Sequence, residues 1–165
     1  MTLAHEAWLV VRYKINERLR FERNLYNQNI DFYIPRIFTN TPKGENQNSE
    51  VLFPGYGFVK QANTNLQALR NTLGLITIIR FGDRLAIAKH SMIIKFKELE
   101  YSSKIQPIPV KQLAKDDEVI VTSGPFKGYM SKILTADVKD RATILISLLG
   151  SERTLTLSTA DLQKL

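Results

Sequence analysis

The sequence predicts an α+β protein in two parts: a small α/β sandwich over residues 1–100 and a small β-barrel over 115–165, joined by a linker at 101–114. Three observations predict it. Apolar runs of strand length alternate with segments of helical spacing through the first part, the order that a sheet covered by helices requires. Short β-branched runs separated by Gly, Pro and Asp turns fill the second part, which fits a small closed barrel. Between the two, from Tyr101 to Ala114, periodicity fades and Pro107 and Pro109 hold the backbone extended.

WLVVRY (8–13), rich in β-branched and aromatic residues, is the first strand. Asn16 is placed to cap the helix that follows, which runs to about Asn27. On its wheel Ile15, Leu19, Leu25 and Tyr26 gather on one side, with Asn16, Arg20, Arg23 and Asn27 opposite. DFYIPRIF (31–38) is a second strand that Pro35 assigns to an edge or bend. TNTPKGENQNSE (39–50) is a polar hairpin tip, and VLFPGYGFVK (51–60) resumes the sheet. Leu66, Leu69 and Leu73 mark a short helix closed by Gly74. ITIIRF (76–81) and LAIA (85–88) are short strands around a Gly82-Asp83 turn, and Met92, Ile93, Phe96 and Leu99 mark a last helix. Beyond the linker EVIVTS, YMSKILTA, ATILISLL and RTLTLS are the barrel strands, with a fifth element near Asp161–Leu165.

With 44% apolar and 24% charged residues the chain is neither disordered nor membranous. Its longest apolar stretches, such as ILISLL (144–149), fall far short of a spanning helix. No basic region leads into an apolar core at the N-terminus, so the expectation is a cytoplasmic protein without a secretory signal, and a monomer. The absence of Cys excludes disulfides, thiolate metal sites and a Cys nucleophile. The net charge of +7 suits contact with a polyanion. Residues 1–100 hold 14 Lys/Arg against 9 Asp/Glu, and 101–165 hold 9 against 7, so the first part is the better candidate for touching phosphate.

Little in the chain supports catalysis. His5 and His90 stand apart with no metal-binding spacing, and His90 beside Ser91 reads as part of a helix start. Asp116, Asp117 and Glu118 diverge from a strand start and read as a solvated turn. The glycines spell neither a P-loop nor a dinucleotide fingerprint, and no serine occupies a nucleophile elbow. The expectation is a non-enzyme without cofactor or metal. The aromatics beside glycines are more informative. Tyr56 and Phe58 share a strand face while Gly55 and Gly57 leave the other bare, so the rings are either core or, together with Phe81, an exposed partner patch. The stripe of Arg20 and Arg23, with Lys14 near the helix start, is either a solvated face or a contact to phosphates and unpaired bases.

The W-strand with its helix, LFPGY followed by FV, the RFG turn and the later VIVTSGPFKGY (119–129) opening resemble the NusG family of transcription elongation factors. RFG leans toward that family's specialised antiterminator branch. The resemblance covers nearly the whole chain and implies an NGN-type N-terminal domain followed by a KOW barrel. It implies that Tyr56, Phe58 and Phe81 grip the clamp helices of RNA polymerase, and that Lys14 and Arg20 touch the non-template DNA strand. Arg23 joins them from the stripe. Leu149 falls where the family presents an apolar residue to ribosomal protein S-ten; the termination factor Rho is the other implied partner. Asn24 stands where the antiterminators have histidine, Ser131 replaces a customary glycine, and residues 63–68 (NTNLQA) lack the HTT motif. The antiterminator branch is also known for a C-terminal domain that can form a helical hairpin. Here Gly124, Pro125, Gly128 and Gly150, with the β-branched content of 143–156, favour the barrel. The alternative outside this family's activity is an RNA- or ribosome-binding module built on the barrel alone.

Overall fold

β1 (Ala7–Tyr13) is the centre of the largest sheet among the described residues, and its near-continuous apolar sequence follows from that position. The structure, a computed structural model, describes residues 6–40, 47–109 and 138–150. β5 (Tyr56–Lys60) runs antiparallel along one side of β1, from Trp8 opposite Lys60 to Arg12 opposite Tyr56. The other side is divided: β9 (Ile87–Lys89) takes Ala7 to Leu9, and β6 (Leu75–Ile78) takes Val11 to Tyr13. β2 (Phe32–Tyr33) pairs with the outer edge of β5. The described residues form two compact units, 6–35 with 53–99, and 36–52 with those from 100 onward.

In the first unit both faces of the sheet are covered. α1 (Arg18–Asn27) lies on one, where the Tyr13 and Phe21 rings stack at 5.2 Å between centroids. α3 (His90–Ile105) packs on the other through Phe96, whose ring meets Phe58 at 5.7 Å and Phe53 at 5.4 Å. Gly57 is bare toward the α1 face, as its position in the strand requires. What approaches it is Ile34 rather than a helix: an added Cβ would sit 3.1 Å from the Ile34 side chain. α2 (Leu66–Arg70) is capped by Asn65, whose side chain accepts from the amides of Gln67 at 2.9 Å and Ala68 at 3.1 Å. It ends before Leu73, which is exposed. Gly74 closes the turn beyond with φ +88°, its Cα against Phe21.

α1 ends where its sequence predicts, in a Schellman arrangement with Asn29 at φ 56°. The Ile30 amide donates to Leu25 O and the Asn29 amide to Tyr26 O. Its start and its buried face differ from the prediction. Residues Ile15–Glu17 form a 3₁₀ turn that includes Asn16, so Asn16 is no cap. The helix buries Phe21 and Leu25, whereas Ile15, Leu19 and Tyr26 are exposed. Two apolar stripes compete on this helix, and Phe21 wins because the close approach of Gly74 seats it.

The second unit is built on β3 (Arg36–Asn40) and β4 (Gln47–Val51), an antiparallel hairpin that already includes part of the stretch expected as its tip. Pro35 separates β2 from β3, the bend that proline predicts. α3 extends past Leu99 to Ile105, so the first residues of the expected linker are helical. Ser103 holds that last stretch: its hydroxyl accepts from the Phe38 amide at 3.2 Å and donates to Glu100 O at 3.0 Å. β10 (Ile108–Pro109) then pairs parallel with β3. In the first unit β7 (Arg80–Phe81) and β8 (Arg84–Leu85) make a small hairpin of their own.

Residues Val138–Gly150 form a helix, α4. The strand expected over ATILISLL is therefore corrected to helix; the rest of the expected barrel lies outside the described residues. The reason is visible in its periodicity. Arg141, Leu145, Leu148 and Leu149 are buried at helical spacing, while Thr143 and Ser147 face outward. Both hydroxyls are absorbed by the helix itself, Thr143 donating to Lys139 O and Ser147 to Thr143 O. Within this unit Arg141 Nη2 lies 3.3 Å from Glu50 Oε1 on β4.

Two substitutions test this packing. Gly74→Ala forces a left-handed residue against Phe21 and is expected to lower unfolding free energy by about 1–2 kcal/mol, read by denaturant titration. Glu50→Ala removes a charge partner from the buried Arg141 and is expected to weaken the attachment of α4 by about 1–2 kcal/mol, read as lost helical ellipticity in the full chain.

Candidate functional site

The three aromatics singled out by sequence belong to the first unit, and they differ in exposure. Phe58 is fully buried, stacked on Phe96. Tyr56, two residues along the same strand face, lies half-buried beside the exposed Arg12 on β1 and the exposed Thr77 on β6. Phe81 is exposed on the β7–β8 hairpin. This hairpin leaves the sheet at Val10. The Ile79 amide donates to Val10 O at 2.8 Å, the Val10 amide to Ala86 O at 3.2 Å, and the Ala86 amide to Ile79 O at 2.8 Å. Since Val10 pairs with Phe58 on its other side, the hairpin is rooted at the level of Phe58. The sheet thus places Tyr56 at the start of β5, Phe58 at its middle and the base of the Phe81 hairpin level with Phe58 across β1. Phe58 is a core ring, the first of the two alternatives its spacing left open, whereas Tyr56 is half-buried and Phe81 exposed.

The basic residues occupy the segment that starts α1. Lys14 Nζ lies 3.5 Å from Glu17, and Arg20 lies 3.3 Å from the same carboxylate, so one acid holds two cations. Arg18 is paired with Glu22 at 3.2 Å. Arg23 is exposed, with no ion pair or hydrogen bond to its side chain among the described residues. Lys14, Arg20 and Arg23 are all exposed, so the chain presents three cations on one short segment.

Leu149 is buried in the last turn of α4 rather than displayed on a strand. His90 begins α3, and its ring accepts from Trp8 instead of capping: Trp8 Nε1–H donates to His90 Nδ1 at 3.2 Å. Glu6 sits 3.2 Å from that nitrogen and 3.1 Å from Lys60 Nζ. On the same sheet face Lys97 lies 5.9 Å from the Trp8 ring centre and 5.4 Å from that of Tyr33. Among the described residues no group of three or more His, Asp or Glu could hold a metal ion. No described helix is long and apolar enough to cross a membrane. Sequence reasoning missed the exposure of Leu19 and Tyr26 and the pairing of Arg141 with Glu50. The Phe21/Leu25 spacing was the available signal for the first; a long-range ion pair leaves none.

A family model described as "NusG: Transcription termination factor nusG" matches residues 6–112, well over half of the chain. The chain belongs to the NusG family. The match spans every element from β1 to β10 and includes Lys14, Arg20, Arg23, Tyr56, Phe58 and Phe81; α4 lies beyond it. NusG proteins are transcription elongation and termination factors rather than enzymes, and they bind RNA polymerase.

The division between core and surface rings has a measurable consequence. Phe58→Ala is expected to cost about 3–5 kcal/mol of stability, whereas Phe81→Ala should stay within about 1 kcal/mol. Thermal or denaturant unfolding of the two variants checks this.

Proposed function

We propose that this NusG-family protein is a specialised elongation factor of the antiterminator branch to which RfaH belongs. Its first 100 residues form the polymerase-binding module. Tyr56 and Phe81 insert against the clamp helices of RNA polymerase, and Phe58 holds the strand beneath them in place through Phe96. Lys14, Arg20 and Arg23 contact the displaced non-template DNA strand. Holding polymerase and displaced strand together suppresses pausing and termination. Residues 115–165 recruit a second factor, with ribosomal protein S-ten as the partner of Leu149 once that residue is released from α4.

The observation that carries the choice of branch is the helix over 138–150, in a stretch whose composition otherwise favours strands. A general factor of the family has no need of a helical form there, whereas the antiterminator branch is known for one. Two sequence features support the same choice, the RFG turn and the exposed Phe81 within it. A general factor that couples polymerase to Rho is the second reading, favoured by the matched family's description as a termination factor.

Two measurements test the proposal. Tyr56→Ala and Phe81→Ala are expected to weaken retention of purified RNA polymerase by about tenfold or more, with unfolding transitions close to wild type. Retention at wild-type levels by both variants rejects the patch. Polymerase-associated occupancy along the genome then separates the branches: a specialised factor is confined to a few transcription units, whereas a general one follows polymerase everywhere.

A further inference from the structure

The exposed face of α1 carries more than charge. Leu19, Arg23 and Tyr26 stand at i, i+4 and i+7, so Arg23 lies on the same outward stripe as Leu19 and Tyr26 and not opposite them as expected from the sequence. Leu19 is 67% exposed and Tyr26 is 77% exposed. The Tyr26 ring has no stacking, cation–π or hydrogen-bond partner among the described residues, and neither has the Arg23 guanidinium one turn before it. The helix is anchored by Phe21 and Leu25 on another face, so packing within the described residues does not account for the tyrosine.

The charge around this ring favours an anionic occupant. Lys14, Arg18, Arg20 and Arg23 face only Glu17 and Glu22 over the segment, and Glu22 is engaged by Arg18 through both oxygens at 3.2 Å. The acid nearest Tyr26 on the helix is therefore already neutralised. An accessible flat ring between an unpartnered guanidinium and a paired carboxylate suits an unstacked base whose phosphate lies on the arginine. A duplex keeps its base faces occupied and offers the ring nothing.

We propose that Tyr26 is a base-stacking residue for single-stranded DNA, with Arg23 holding the adjoining phosphate and Leu19 extending the apolar floor. This rests on the proposed contact of Lys14, Arg20 and Arg23 with displaced DNA. It adds that the contact reads the base face as well as the backbone, and so distinguishes single strand from duplex. Stacking of this kind tolerates every base, so the site adds affinity without demanding a sequence.

The test is fluorescence anisotropy of the full-length protein with a labelled oligothymidylate of about 12 nucleotides, an abasic strand of equal length, and the corresponding duplex. Tyr26→Ala is expected to weaken binding of the thymidine strand about five- to hundredfold, Tyr26→Phe to retain it, and neither to change binding of the abasic strand. Wild type should bind the abasic strand as weakly as Tyr26→Ala does. The proposal is overturned if Tyr26→Ala binds the thymidine strand like wild type, or if wild type holds the abasic strand equally well. If only Arg20→Gln and Arg23→Gln then lose affinity, a phosphate contact stands without stacking. If no variant changes affinity, or wild type binds no strand, the DNA contact itself fails with it. Circular dichroism of each variant confirms the fold, which an exposed position should leave intact.

Discussion

A strand that is hydrogen-bonded along both edges and covered on both faces cannot shift without breaking several interactions together, and β1 is held in this way. β5 fixes one edge, while β6 and β9 share the other. α1 presses on Tyr13 and α3 covers the face that carries Phe58. The divided edge is the structural origin of the Phe81 hairpin. Because two short strands rather than one long strand serve that side, the chain between them must leave the sheet and return, and it does so at Val10. The small 2.8–3.2 Å ladder at its root gives an exposed aromatic a rigid base. Any exposed side chain held this way would lose little conformational freedom on meeting a partner.

The same anchoring explains how neighbouring aromatics on one strand come to differ in role. Phe58 lies within reach of Phe96, whereas Tyr56 lies two residues farther along, level with solvent-exposed Arg12 and Thr77. Burial therefore grades along β5, from core ring to half-open ring. A partner that engages Tyr56 meets a surface whose shape is set by the core immediately beneath it.

Much of the first unit was legible because its signals are local. WLVVRY read as a strand, the end of α1 fell at Asn27, and Pro35 marked the break between β2 and β3. What failed depended on tertiary choice. On α1 the expected apolar side gathered Ile15, Leu19, Leu25 and Tyr26 and left out Phe21, which the stack on Tyr13 and the close approach of Gly74 seat in the core. The strand spacing of Tyr56 and Phe58 was right, but spacing cannot say how far a covering helix reaches. Asn65, to which sequence reasoning assigned no role, caps α2 through Gln67 and Ala68.

The C-terminal helix shows why composition alone misleads. ATILISLL is a short apolar run whose residues satisfy strand alternation and helical spacing equally, so its state is decided by what it is attached to. In α4 the decision favours helix, and Arg141 joins the buried stripe with Glu50 meeting its charge. The Glu50 side chain is 45% exposed, so water competes for that pair and its net contribution is modest. Glu50 thus meets Arg141 of the helix from the β3–β4 hairpin through an accessible carboxylate. A polyanion or a competing cation near β4 would compete with that pair.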